Sequence, residues 1–517
     1  MVKSLLLWSL LLASVLTVLA GGSGKWSAVR NWPVIPVGIF HLDDGRLLGY
    51  AALQDHNFAK NGVPSSEHNY TQAAIWNPTT DSFTDKDLDG HDIFCPGMTF
   101  LPNGDVFAGG GGNDGNSHKV SVFKMSTKTW VRHGDMDGGH WYGTAVATNS
   151  HVVMIEGVDK LRPGQRPDDL WIPEVSNGFD FDRAWSRLPG ADLKNKVMRN
   201  PWYPQSHLLR DGHILLSGTS NGMYVMDSSG SGSTRFVGDR NTDRDEQEAW
   251  GATTIMYRPF RMLSLGGIEG WTPGEDKPRT SLSRVIEIDA RNPNNVKTKS
   301  VAPMNFARGF QNAVLGPDGN VYVFGGHQNG FQFNDTDSIL TPEVYNPYTN
   351  TWRTLAPMKT PRNYHSVAIL MADARIFVGG GGLCGGCSVN HMDHEIFSPP
   401  YLFEGDGQTL RLRPQIDSIP ASARGGDTVS ITLSGPKADK IKFFMWMHFY
   451  SVTHSISTDL RGFKLRDPNG GESIGNGKYV YKVVLPRNRS KFTRGPYWVY
   501  AVTNARAPSV AKKVQVG

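Results

Sequence analysis

Tyr364 and His365 stand side by side in Pro361-Arg-Asn-Tyr-His365. A phenol and an imidazole are both good ligands for a transition metal. They open a stretch made of an apolar run, a turn, a second apolar run from Ile376 to Val378 and a glycine tract from Gly379 to Gly382. Strand, turn, strand and diglycine is the inner half of a kelch-type propeller blade. The same phase recurs elsewhere. Tyr142 precedes Gly157 by 15 residues, as Tyr364 precedes Gly379, and Cys95 precedes Gly109 by 14, as His365 precedes Gly379. Equivalent offsets belong near one axis, so two tyrosines, a histidine and a cysteine converge from three blades. Tyr203 and Phe310 hold the same offset before Gly218 and Gly325, and they read as aromatics packing the channel.

The repeats that position these groups run through most of the chain. Glycine landmarks after an apolar run fall at Gly49, Gly109, Gly157, Gly218, Gly266, Gly325 and Gly379, near the roughly 50-residue kelch period. Turn signals precede several of them, at Asp44-Gly45, Asn103-Gly104, Asp211-Gly212 and Asp318-Gly319. The spacing predicts an all-β fold with a seven-bladed kelch-type β-propeller. The last blade lacks an outermost strand, which Lys25-Trp-Ser-Ala-Val29 is expected to supply, closing the ring and leaving no free edge. From about Arg411 the period is lost. Thr428–Leu433, Tyr479–Leu485 and Tyr497–Val502 read as short strands of a C-terminal immunoglobulin-like β-sandwich. The expected divisions are a signal peptide at 1–20, the propeller at 21–408 and the sandwich at 409–517.

Composition excludes several functions. A net charge of +5 over 517 residues, with no block of like charges, gives no reason to expect nucleic acid. Lys3, the apolar run from Leu5 to Leu19 and Val18-Leu19-Ala20 resemble a secretory signal, and the run is short for a membrane anchor. The expected location is extracellular, where disulfides persist. No GxGxxG motif follows a strand and opens a helix, so neither NAD nor flavin is expected. Of three cysteines, Cys384 and Cys387 can form a local disulfide; a metal-binding CxxC would lack a second pair. Cys95 is then left over, either an inert buried thiol or one chemically consumed. His391 and His394 offer a weaker candidate metal pair, and His448 reads as structural.

Asp92-Ile-Phe-Cys-Pro-Gly97, His140-Trp-Tyr142, Asn363-Tyr-His365, the tract Gly379–His391 and Val452-Thr-His454 resemble, in order, the motifs of the copper radical oxidases, the family of galactose oxidase and glyoxal oxidase. The resemblance implies one copper ion held by Tyr142, Tyr364, His365 and His454. It implies a thioether joining Cys95 to the ring of Tyr142, which accounts for the odd thiol and gives a self-derived radical cofactor. It implies an aromatic shield over that thioether, for which Trp271 is the first choice and Trp141 and Trp171 the alternatives. The implied reaction is two-electron oxidation of a primary alcohol, a glycan terminus or a small aldehyde as its hydrate, with O2 reduced to hydrogen peroxide. The competing reading is a non-catalytic kelch propeller that binds glycans or proteins, which has no need of Cys95, Tyr142 and His454 together.

Overall fold

The computed structural model describes residues 22–52, 69–112, 115–157, 172–194, 203–209, 212–218, 220–241, 249–269, 278–329, 332–488 and 491–517. Within these the protein is all strand and turn, with a few short 3-10 segments. Seven antiparallel sheets follow one another along the chain, each with at least four strands. Their innermost strands are Gly38–His41, Gly97–Phe100, Thr144–Ala147, Ser206–Leu208, Thr253–Arg258, Asn312–Leu315 and Ser366–Leu370. Inner strands pack against each other from the second blade to the fourth and from the fifth to the seventh, and the last packs against the first, in the ring of a seven-bladed propeller. Inner strands are mostly buried and rich in apolar residues, as in Ser366–Leu370, whereas outer strands alternate exposed and half-buried, as in Thr129–Arg132. Apolar residues need cover on both faces only where a blade is enclosed by its neighbours, and this gradient orders each blade from axis to rim.

The ring closes as the N-terminal residues predict. Lys25–Trp26 pairs antiparallel with Asp393–Ser398 of the seventh blade, through Lys25 opposite Ser398 and Trp26 opposite Phe397. The Trp26 ring packs on Phe397 at 4.8 Å and its indole donates to the Ala356 carbonyl at 2.7 Å.

The remaining strands form a sandwich of two sheets. One orders Gln415–Ser418, Thr428–Ser434, Lys478–Val484 and Glu472–Gly475. The other orders Ser422–Ala423, Lys512–Val516, Gly495–Thr503, Ile441–His448 and Gly462–Leu465. Ile441–His448 has no counterpart among the sequence-predicted strands. It is almost continuously apolar because the sandwich covers one face and the propeller the other, so it lacks the alternation that marks a half-buried strand.

One sandwich strand leaves its own sheets. Ser451–Thr453 pairs with Gly38–His41, adding a fifth strand to the inner edge of the first blade. A two-residue turn follows, with Thr453 and Ile456 exchanging backbone hydrogen bonds at 3.2 and 2.8 Å and with His454 and Ser455 at φ 51° and 65°. Positive φ at both central positions is the geometry that matches hairpin twist, although it usually calls for Gly, Asn or Asp. The strand therefore carries His454 into the propeller channel.

Candidate metal centre

Repeat phase, corrected by one residue, explains how the site is built. Cys95, Tyr142, Tyr203, Gly251, Phe310 and His365 all have φ between 50° and 67°. Each lies fifteen residues ahead of a glycine, namely Gly110, Gly157, Gly218, Gly266, Gly325 and Gly380. The landmarks in the two glycine tracts are thus Gly110 and Gly380, not Gly109 and Gly379. A Cβ on Gly110 would meet the His140 carbonyl at 2.0 Å, and one on Gly380 the Pro36 carbonyl at 2.5 Å, so neighbouring blades approach too closely for any side chain there. Backbone hydrogen bonds link the positive-φ residues from blade to blade: Tyr142 N–H to Cys95, Tyr203 N–H to Tyr142 and Phe310 N–H to Gly251. Left-handed conformation costs about 1–2 kcal/mol in any residue with a Cβ. Strain of that kind concentrates where function requires it, and here it forms a ring about the axis.

In the seventh blade the in-phase residue is His365, and Tyr364 is an addition. Arg308 sits two residues before Phe310, whereas Arg362 sits three before His365. The two arginines are anchored alike, each donating to a glycine carbonyl (Gly325 or Gly380) and to a carboxylate of its own blade's third strand (Glu343 or Asp393). One extra residue after a fixed anchor puts two side chains where the other blades put one.

Five of the predicted site residues meet. Tyr142 and Tyr364 are hydrogen-bonded through their hydroxyls. Tyr364 stacks on His365 with ring centroids 4.0 Å apart, and His454 lies edge-on to His365 at 4.6 Å, Tyr142 at 5.2 Å and Tyr364 at 5.4 Å. Cys95 Sγ is 3.3 Å from His454 Nε2. The donor atoms of Cys95, His365 and His454 lie within 4.8 Å of one another. Cys95 is fully buried, and Tyr142, the most accessible of Cys95, Tyr142, Tyr364 and His365, is 8% exposed.

Both imidazoles turn an unprotonated nitrogen to the cluster. Nδ1 of His365 is 2.5 Å from the Gly382 carbonyl, which can only accept, so Nδ1 carries the proton and the buried Nε2 is left without a partner. Burial holds this ring's pKa down at about 4. At His454, Nδ1 is 2.7 Å from Thr453 Oγ1, whose own hydrogen goes to the Val37 carbonyl at 2.9 Å. Nδ1 must therefore donate, and Nε2 faces the site unprotonated. Burial, followed by the nearby His365, pushes His454 well below the ordinary imidazole value. Burial also drives both phenols and the Cys95 thiol well above their usual range. A cluster that disfavours every charge of its own, yet presents two lone pairs, a thiol and two phenols, fits a cation that supplies the missing charge.

Aromatics enclose the cluster. Tyr203, set aside as packing, has its ring 5.1 Å from Tyr142 and 4.7 Å from His454, and its hydroxyl donates to the Pro96 carbonyl. Phe310 lies 5.1 Å from Tyr364. Phe333, which no local motif marks, is 38% exposed and stands edge-on to Tyr364 and His365 at 5.3 and 5.6 Å. Trp141 meets the Tyr142 ring edge-on at 4.7 Å. Trp271 and Trp171 lie outside the described residues. His391 and His394 diverge: the first bonds Asp335 at 2.8 Å, and the second stacks on Phe377. Cys384 and Cys387 are disulfide-bonded, and His448 is buried at the domain joint.

Known proteins share these features. The glyoxal oxidase N-terminus family matches residues 279–401, and the galactose oxidase-like early set domain matches residues 413–516. Galactose oxidase of Gibberella zeae is 28% identical over 523 residues, covering 98% of this chain and 72% of that one. Aldehyde oxidase GLOX of Vitis pseudoreticulata is 25% identical, covering 82% of each. The solved structure of a fungal alcohol oxidase of the AA5 family, in complex with copper, superposes with a TM-score of 0.84 at 29% identity, over 96% of this chain and all of that one. These likenesses run through the propeller and the sandwich alike, and each is to a galactose oxidase, a glyoxal or aldehyde oxidase, or a copper-bound alcohol oxidase.

Proposed function

We propose that the protein oxidises a primary alcohol, or a small aldehyde as its hydrate, and reduces O2 to H2O2 at a single copper held by Tyr142, Tyr364, His365 and His454. The observation that carries this reading is the pair of imidazoles, each with Nδ1 committed to an acceptor and Nε2 turned to the same cluster. Copper, when bound there, supplies one of the two electron-accepting steps and lowers the phenol pKa values. Tyr142 supplies the other step as a radical, stabilised by a sulfur from Cys95, whose carbonyl accepts from the Tyr142 N–H at 3.1 Å. Forming the thioether removes two hydrogens, one from sulfur and one from the ring, and O2 takes them up as H2O2.

Tyr364, hydrogen-bonded to Tyr142, accepts the substrate hydroxyl proton as a phenolate. The Tyr142 radical then takes the hydrogen from the substrate carbon. The aromatic wall of Phe94, whose ring is 5.5 Å from His365, with Tyr203 and Phe310, keeps bulk water from the radical. Trp141 stands edge-on to the Tyr142 ring, and Trp271 keeps its proposed role as shield.

The residues before 21 serve as a secretory signal, and the propeller gives way to the sandwich near residue 408. No described helix is long and apolar enough to cross a membrane. The test is intact mass before and after Cu(II) in air, with peroxide release across galactose, glycolaldehyde, methylglyoxal and benzyl alcohol. A loss of two hydrogens that needs both Cys95 and Tyr142 is expected, and Cys95→Ala or Tyr142→Phe should each abolish peroxide. Full activity in either variant would sink the radical assignment. A cross-link without peroxide on any substrate would favour a binding propeller.

A further inference from the structure

A second cavity, of about 560 Å³, lies between propeller and sandwich at the other end of the inner strands. The copper-site residues Cys95, Tyr142 and His365 precede their inner strands, whereas this cavity is built from turns that follow them. Tyr257 and Arg258 end the strand Thr253–Arg258, Pro259 lies in the turn that joins it to Arg261–Leu265, and Gly319 in the turn after Asn312–Leu315. Tyr348 comes from the turn between Glu343–Asn346 and Thr351–Thr354. The sandwich closes the other side with Phe463, Lys464 and Arg466, and with Lys491.

The lining is one-sided in charge. Arg258, Lys464, Arg466 and Lys491 face the cavity, and no Asp or Glu is among its described lining residues. Cations crowd one phenol ring. Arg258 sits 4.3 Å from the Tyr348 centroid and Lys464 Nζ 4.8 Å, with Arg506 at 6.0 Å. Lys464 Nζ also donates to the Tyr348 hydroxyl at 2.9 Å, and these charges, Lys464 foremost, draw the phenol below its ordinary pKa. Nη2 of Arg258 is buried without a hydrogen-bond partner. Tyr348 itself is 55% exposed. The buried Asp318 carboxylate offsets part of the charge of Lys464 and Arg506; the cations still repel each other around one ring, and an arriving anion would relieve that cost.

We infer that this cavity binds an acidic carbohydrate, with a sugar ring against Tyr348, Tyr257 and Phe463 and its carboxylate or sulfate between Arg258, Lys464, Arg466 and Lys491. Guanidinium forks suit planar oxyanions, and the cavity volume falls within the ~300–1,000 Å³ typical of small-ligand sites. The concave shape favours a chain over a membrane: the aromatic rings line the hollow, where a bilayer surface does not reach. This site goes beyond the oxidation chemistry. It would tether the enzyme to an anionic polymer while leaving the opposite propeller face open.

Affinity electrophoresis of the full-length copper-loaded protein through gels containing polygalacturonate, dextran sulfate or neutral dextran tests the assignment. Retardation by polygalacturonate identifies a carboxylate ligand and retardation by dextran sulfate a sulfate ligand; either supports the site. Arg466→Glu with Lys491→Glu, both at exposed positions, is expected to weaken retardation at least about tenfold, as is Tyr348→Ala. Lys297→Glu with Lys299→Glu, on an exposed outer strand, should leave it unchanged, which separates this cavity from the bulk net charge. Turnover of a small alcohol should be unaltered in all of these variants. Equal retardation by neutral dextran, equal weakening by the control pair, or tighter binding to phosphatidylserine vesicles than to either polyanion would overturn the inference.

Discussion

The hydroxyl of Thr453 donates to the Val37 carbonyl and accepts from Nδ1 of His454, so a first-blade main-chain oxygen sets which nitrogen of a sandwich histidine faces the channel. Thr453→Val keeps the branched shape and removes that relay. Partners of this kind are worth about 10- to 100-fold in metal affinity. Copper affinity by chelator competition should fall within that range while the circular dichroism spectrum is unchanged; an unaltered affinity would show that the turn alone orients the ring.

Glu343 and Arg308 form an ion pair at 2.7 Å with both side chains fully buried, and Glu343 also accepts from Asn305. Breaking such a pair on one side strands the other charge and costs about 3–5 kcal/mol. Glu343→Ala should therefore lower the denaturant midpoint sharply, whereas Glu287→Ala, whose partner Arg261 is exposed, should change stability by less than about 1 kcal/mol. Similar losses for both would show that the buried anchor matters no more than a surface pair.

Phe333 touches the rings of Tyr364 and His365 but supplies no donor atom. Phe333→Ala should leave copper binding and cross-link formation intact. KM for the preferred alcohol is expected to rise about tenfold, equivalent to ~1.4 kcal/mol of lost contact. An unchanged KM with a lower kcat would mean that the ring shields the radical and does not contact substrate.

Acid should destabilise the fold from pH 6.5 downward. Burial depresses His41, His394 and His448 to about 4 and His207 to about 3. Below their ordinary value of 6.5 the unfolded chain takes up protons that the folded chain refuses. Each ring's contribution is thus complete above pH 6.5 and is lost as pH falls toward its folded value, at about 1.4 kcal/mol per pH unit. Asp459, raised to about 7 by burial, acts in the opposite sense, giving up stability as pH rises from about 4 to 7. Melting temperatures between pH 4.5 and 7.5 should fall on acidification, and His207→Asn should show a shallower fall than the parent. An identical slope would mean that His207 does not govern it.

Much of this was legible in the residues themselves. The glycine spacing implied seven blades, and the Trp26 segment announced its pairing with the last one. The register slipped by one in the second and seventh blades because a run of four glycines contains no single landmark; only the approach of the neighbouring carbonyl distinguishes Gly110 from Gly109. Tyr203 was underrated because its offset matches that of packing aromatics, and its closeness to His454 depends on a strand from the other end of the chain. The His454-Ser455 turn carries none of the residues that usually mark a tight hairpin, so its reach into the channel had no local signal. Phe333 was invisible for a similar reason: it gains its place from the blade beside it.

The pairing of Lys25 with Ser398 dictates an order of events during synthesis. The residues that complete the seventh blade leave the ribosome early and must wait, unpartnered, until nearly three-quarters of the polypeptide has followed. His454 emerges later still. A nascent chain can therefore latch its toroid before His454 is made, so the cluster of Cys95, Tyr142, Tyr364, His365 and His454 is complete only in the finished molecule.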